Sequence, residues 1–184
     1  MRFEHGYNGS IIAYNGMVPK IDPSAFICEG VKIIGDVEVG KDASIWYNCV
    51  VRGDVHYIKI GEGTNIQDLS MLHVTNQKYP LVIGNYISVG HSVSLHGCTI
   101  KDHCLIGIGA NILDGALVNS NCLVAAGTLV KEGFEVPEGT LVAGVPGKVI
   151  RDLKPEEIEK VKQNANNYIK YVSEFRNSIG KINK

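Results

Sequence analysis

IKDHCLIGIGANILDGALVNSNCLVAAGTLV, residues 100–130, carries an aliphatic side chain at every sixth position: Ile100, Ile106, Ile112, Val118, Val124 and Val130. The same beat runs upstream through Ile27, Ile33, Val39, Ile45 and Val51, then Ile60, Ile66 and Leu72, then Ile83, Val89 and Leu95, and downstream to Val136 and Val142. Its phase breaks three times: it slips by three residues after Val51, is interrupted around NQKYP (76–80) after Leu72, and shifts by one after Leu95. Neither an amphipathic helix, with a period near 3.6, nor an alternating strand, with a period of 2, produces a period of six. A chain that turns a corner every six residues does, and so regular a repeat is the mark of a solenoid.

Four places after the aliphatic residue the side chain is usually small: Ala43, Cys49, Thr64, Ser70, Cys104, Ala110, Ala116, Cys122 and Thr128. The aliphatic fills a narrow core and the small residue fits beside it. Glycine often follows the aliphatic directly, at Gly40, Gly61, Gly84, Gly90 and Gly107, where a β-carbon would strain the backbone. The pattern resembles that of the left-handed hexapeptide β-helices, which implies three hexapeptides per triangular coil and six to seven coils over residues 27–145. The fold expected is mainly β: a left-handed parallel β-helix over residues 1–150, with residues 1–26 as lead-in, then a C-terminal helix in 151–184. Pro155 opens that helix, Glu156 and Glu157 suit its first turn, and Ile158, Val161, Ala165, Tyr168, Val172 and Phe175 form one apolar stripe. The helix is long enough to lie back along the coils or across a neighbouring subunit.

The 184 residues hold 18 basic and 19 acidic side chains. That near-balance suggests neither a nucleic-acid partner nor an anionic membrane. No run of eighteen apolar residues occurs, and MRFEHGYNGS has no secretory character, so a cytoplasmic location is expected. Five cysteines without a CxxC pair suggest neither a disulfide framework nor a thiolate zinc site. Cys49, Cys104 and Cys122 occupy the small-residue slot as compact hydrophobes. Cys28 and Cys98 lie outside it, and Cys98 is close enough to the histidines for a reactive role to be weighed.

Of six histidines, three share places in the repeat. His73 follows Leu72, His96 follows Leu95, and His91 comes two places after Val89. His73 and His91 are one nominal coil of 18 residues apart, which would stack them about 4.8 Å apart on one face, although the interruption at 76–80 disturbs that register. Three imidazoles with one open position describe a catalytic metal site; the plainer alternative is three unrelated surface histidines. His5, His56 and His103 read as ordinary polar residues. Arg52, Asp54 and Asp68 suggest an ion-pair network where subunits meet, or else solvated charges at corners. Gln67, one hexapeptide before His73, is expected beside it, where its amide could orient a water or a substrate oxygen.

VRGDV (51–55), NIQDLSMLH (65–73) and VGHSVSLHGCTI (89–100), in that order, resemble the γ-class carbonic anhydrases over nearly the whole chain. The resemblance implies a homotrimer with metal sites at its interfaces, His73 and His96 coming from one chain and His91 from the next. It places Arg52, Asp54 and Asp68 at interface ion pairs, Asn65 and Gln67 near the metal, and Tyr168 pointing at the pocket with Tyr171 as fallback. The implied reaction is reversible hydration of carbon dioxide to bicarbonate by a metal-activated water, with zinc, iron, cobalt or nickel as the ion. Val55 stands where active members carry a glutamate, and the loop VTNQKYP (74–80) has no carboxylate to shuttle protons, so slow turnover is expected, with His56 or Tyr168 as substitutes. Three other readings compete: a hexapeptide acyltransferase using acyl-CoA, which would need only one of the histidines; a metal-dependent acyl-CoA thioesterase; and a non-catalytic metal-binding trimer.

Overall fold

The computed structural model describes residues 9–178, so His5 and the start of the lead-in lie outside the described residues. The chain winds as a parallel β-solenoid whose cross-section is a triangle. Ile27, Ile33, Ile45, Ile66, Leu72, Val89, Leu95, Ile106 and Ile112 are fully buried along its axis, one from nearly every strand. Most strands are two or three residues long because each face of the triangle is that narrow.

The first face is formed by the first halves of Lys32–Val39 and Val50–Ile60 with Met71–His73, Ser94–His96, Asn111–Ile112 and Leu129–Val130. The second is formed by the latter halves of those two long strands with Leu81–Ile83, Thr99–Ile100, Leu117–Val118 and Glu135–Val136. The third runs from Phe26–Ile27 through Ser44–Ile45, Asn65–Ile66, Ser88–Val89, Leu105–Ile106 and Leu123–Val124 to Thr140–Ala143. There the antiparallel strand Lys148–Asp152 closes the end of the solenoid.

The small-residue slot is buried throughout, and its polar members also do electrostatic work. Thr64 Oγ1 donates to Gly84 O at 2.8 Å and Ser70 Oγ to Gly90 O at 3.1 Å. The thiols of Cys49, Cys104 and Cys122 donate in the same way to Gln67 O, Asn119 O and Pro137 O at 3.0–3.1 Å. Each satisfies a carbonyl of the following coil, so these cysteines are donors as well as small apolar fillers. Cys28 and Cys98 are buried too, and burial pushes the Cys98 thiol up to about 12, which argues against a reactive thiolate there.

The glycines after the aliphatic residue serve close approach, not unusual torsions: a β-carbon at Gly107 would strike the backbone of Ala125 and Ala126 on the next coil. Left-handed backbone occurs two residues later, at Gly109 with φ of 68°; the equivalent corner position is left-handed elsewhere too, at Asp42, Asn48, His103 and Asn121, residue types that tolerate this conformation, and also at Leu69, Tyr86 and Ser92.

The helix α1, Pro155–Ser178, runs back along the third face of its own chain. Glu157 fixes its start, accepting from Lys154 N at 2.9 Å and from the Arg151 guanidinium at 2.7 and 2.9 Å. Tyr168 and Phe175 pack edge-on against Trp46 with ring centroids 5.6 and 5.1 Å away. Arg176 then donates to the Ser24 and Ala25 carbonyls of the first coil at 2.7 and 3.2 Å. Among the described residues no helix is long and apolar enough to cross a membrane.

Because each core aliphatic is enclosed by neighbouring coils, Ile106→Ala is expected to cost about 2–5 kcal/mol of stability. Ile150→Ala, at an exposed position, is expected to stay within about 0.5 kcal/mol. Denaturant unfolding followed by the Trp46 fluorescence compares the two.

Candidate metal centre

All three phase breaks of the hexapeptide fall at one corner, between the first and second faces. Where the coil of Lys32–Val39 has the single Asp36, the next coil has four residues, 54–57, which bulge outward. On the following coil the chain leaves at His73, makes a loop closed by a bridge between Thr75 and Tyr79, and re-enters at Leu81. One coil further the passage from His96 to Thr99 is tightened at Gly97, whose φ is 53°. The extra residues of the 74–80 loop bring His96, not His91, into register with His73. The expected stacking of His73 on His91 is therefore wrong; its cause is the interruption itself.

The result is a vertical column of polar side chains. Asp54, on the bulge, pairs with Arg52 through one oxygen and meets His73 Nε2 at 3.1 Å through the other. His73 Nδ1 faces His96 Nε2 at 3.1 Å, and His96 Nδ1 meets Asp114 Oδ1 at 2.6 Å. Burial opposes ionisation of Asp54 and Asp114, but hydrogen bonds from Arg52 and His73, and from Thr75 and His96, outweigh it and hold both carboxyls below the ordinary aspartate range. Burial also pushes the His73 imidazole below its usual value, against the hydrogen bond to Asp54. His73 is thus neutral at neutral pH.

His91 lies on the other edge of the first face. It sits two residues beyond the Val89–Ile66 register pair, directly over Asp68, with Nδ1 at 2.8 Å from the carboxylate. After His91 the chain turns at Ser92, whose φ is 56°, and only then enters the strand Ser94–His96, so His91 and His96 stand at opposite edges of the face. Within one chain Arg52 pairs with Asp54 and Asp68 with His91, at the two opposite edges of the face.

Gln67 lies on the third face, not beside His73, because a hexapeptide step is a step round a corner. Asn65 fixes its orientation. The Asn65 amide nitrogen donates to the Ile87 carbonyl at 3.3 Å and to Ser88 Oγ at 2.9 Å, and a carbonyl can only accept, so Asn65 Oδ1 is an acceptor. Gln67 Nε2 donates to it at 3.1 Å. This sets which way the Gln67 amide is turned, with Nε2 toward Asn65; Gln67 lines a pocket of about 220 Å³ together with Ser88, Gly90, Leu105, Ile108, Asn164 and Tyr168. Tyr168 is thus at a pocket wall beside the His91 corner. Tyr171 is exposed and packs edge-on against Tyr168. His56, on the same bulge as Asp54, accepts from Tyr57 N, and His103 stacks on Tyr86.

Each of His73, His91 and His96 has one ring nitrogen on a carboxylate, the arrangement that fixes a ligating imidazole's tautomer. With the N–H groups turned to Asp54 and Asp114, the inner nitrogens of His73 and His96 oppose each other as two lone pairs. Such a contact needs a cation. Two nitrogens on one tetrahedral ion at about 2.0–2.1 Å each lie about 3.3 Å apart, close to the observed 3.1 Å, so this pair fits a divalent metal. Among the described residues of a single chain no group of three His, Cys, Asp or Glu side chains is placed to hold an ion, as the separation of His91 requires.

Sequence reasoning overlooked Asp114 and Thr75. The signal for Asp114 was only partial: it lies 18 residues after His96, but the shift after Leu95 shortens that coil to 17 residues, so Asp114 falls one place past the position over His96, against Gly97. Thr75 carried none, because its position depends on the shape of the loop.

No protein-family model matches the chain. It is 47% identical over 159 residues to a carbonic anhydrase of Geobacillus kaustophilus, covering 86% of this chain and 87% of that protein. It is 44% identical over 155 residues to the mitochondrial γ carbonic anhydrase 1 of Arabidopsis thaliana, covering 82% of this chain and 56% of that protein, so it spans about half of that relative's length. Among solved structures, a Bacillus cereus protein provisionally named an acetyltransferase superposes with a TM-score of 0.90 at 42% identity, over 92% of this chain and 98% of that one.

The Asn65–Gln67 polarity has a direct test. Gln67→Glu sets two acceptor oxygens against each other and is expected to cost about 1–3 kcal/mol at neutral pH. Its folded-state carboxyl pKa would be raised, so the deficit should shrink as pH falls and the carboxyl protonates. Thermal melts between pH 7 and 4 measure it; a pH-independent deficit would contradict the assignment.

Proposed function

The chain belongs to the γ-class carbonic anhydrases, and we propose that it catalyses the reversible hydration of carbon dioxide at a divalent-metal centre shared between copies. The observation that carries this reading is the pair of inner nitrogens, His73 Nδ1 and His96 Nε2, opposed at 3.1 Å with both outer nitrogens on carboxylates.

On this reading His73 and His96 of one copy and His91 of the next hold the ion, and three copies of the left-handed solenoid close into a trimer. Two features support it. The two halves of the ligand set occupy opposite edges of the same face, so a cyclic arrangement that brings one edge against the other completes every site. The same two edges carry Arg52 and Asp68, opposite charges able to pair across that contact, and the intervening surface exposes Leu69, Met71 and Ile108. Zinc, iron, cobalt and nickel all suit imidazole ligands.

When bound, the ion supplies Lewis acidity that lowers the pKa of a water from 15.7 toward about 7. The chain's own residues supply the rest. Gln67 Oε1 accepts a hydrogen bond from the attacking water and so aims its lone pair, while Asn65 prevents the amide from rotating. Leu105, Ile108 and the Tyr168 ring offer the apolar wall that carbon dioxide needs. Asp54, Asp68 and Asp114 hold the ligand tautomers. Val55, at the position where the family resemblance implies a glutamate, packs against the core, so proton export falls to the buffer and limits turnover.

Stopped-flow hydration assays on zinc- and iron-loaded protein test the proposal. The expected result is a rate above buffer that rises with imidazole concentration and is lost in His91→Ala. Fully metal-loaded protein with no rate above buffer would refute it, and thermal protection by acetyl-CoA would point to acyl transfer instead.

A further inference from the structure

The 74–80 loop is too short and too poor in carboxylates for the proton-shuttle role that the family resemblance gives it, yet it is firmly built. Thr75 N donates to Tyr79 O at 3.1 Å, and the bridge between these residues closes the loop. The Tyr79 side chain lies against Gly97 and Gly115, where any β-carbon would press on it, and Lys78 Nζ sits 4.7 Å from its ring centroid. This architecture delivers one functional group to the column: Thr75 Oγ1 donates to Asp114 Oδ2 at 2.6 Å, while Asp114 Oδ1 faces His96 Nδ1 at 2.6 Å.

We infer that Asp114 and Thr75 are positioning residues that lock His96 with its proton on Nδ1 and its Nε2 free for the ion, and that bracing this ligand is the purpose of the loop; the inference rests on the metal-centre reading above. A neutral imidazole interconverts between two tautomers, and only the one protonated on Nδ1 offers Nε2 to a metal. A carboxylate at Nδ1 selects that tautomer. A carboxylate held by one oxygen alone can still rotate about its side-chain bonds; the Thr75 hydroxyl occupies the second oxygen and stops this. Gly97 belongs to the same device, because a β-carbon there would collide with the Asp114 carboxylate. His73 is held separately, by Asp54 and Arg52, so the two ligands of this corner have independent supports, one from each of the two long phase breaks.

The test uses Asp114→Ala, Thr75→Val and Thr75→Ser in the full chain, with two readouts. Zinc affinity is measured by competition with a chromophoric chelator. The His96 tautomer is read by long-range nitrogen–proton NMR on metal-free protein labelled at histidine. Wild type should show the Nδ1–H form of His96. Asp114→Ala should show both tautomers and lose about 10–100-fold in zinc affinity. Thr75→Val should lose less, and Thr75→Ser, which keeps the hydroxyl, should match wild type. Unchanged affinity in both Asp114→Ala and Thr75→Val would overturn the inference, as would an Nε2–H tautomer in wild type. Wild-type protein that takes up no zinc would refute the metal-centre reading instead, and the NMR result on metal-free protein would then decide the brace alone.

Discussion

Parallel strands stacked about 4.8 Å apart leave a solenoid no freedom within a face, because every residue must lie over its register partner. A difference in length between successive coils can be absorbed only where the chain turns. In this protein all such differences are gathered at one of the three corners. The four-residue bulge at 54–57, the 74–80 loop and the tightened turn at Gly97 lie on consecutive coils, and together they bring Asp54, His73, His96 and Asp114 into one column. The uniform coils elsewhere are the rigid frame against which this corner is set.

The charge pattern of the column follows from simple valence. Two neutral imidazoles have two N–H donors between them, and a carboxylate at each end takes both. The inner nitrogens must then be paired by something positive. Burial lowers the tendency of His73 to supply that charge by protonation. The third ligand, His91, stands on its own carboxylate, Asp68, at the other edge of the face. On the proposed reading each single chain carries two incomplete halves of a centre, and assembly of copies would complete it.

Most of the fold was legible because a period of six is a geometric statement: Ile27 to Val142 mark the axis, and every small-slot residue is buried as the pattern requires. The site was legible in its residue types but not in its arrangement. His73 and His91, 18 residues apart, are not stacked, since the five residues of NQKYP are absorbed between them. Gln67 is not next to His73, since a step of six turns a corner. Asp114 lies 18 residues from His96 on a coil shortened to 17 by the shift after Leu95, so counting regular coils would not have stacked the two. The thiols of Cys49, Cys104 and Cys122 proved to be hydrogen-bond donors, a role set by carbonyls on the next coil that no local pattern reveals.

The central claim is that one metal centre is built from two edges of two copies, and complementation between defective chains tests it most directly. His73→Ala and His91→Ala each remove one half of every centre, so neither protein alone should retain metal at these sites. Co-expressed and purified as mixed oligomers, they should regain metal at about one third of the sites in each mixed trimer, where an intact His73–His96 edge meets an intact His91 edge. Mixed oligomers that remain metal-free, while wild type purified alongside binds metal, would contradict the shared centre.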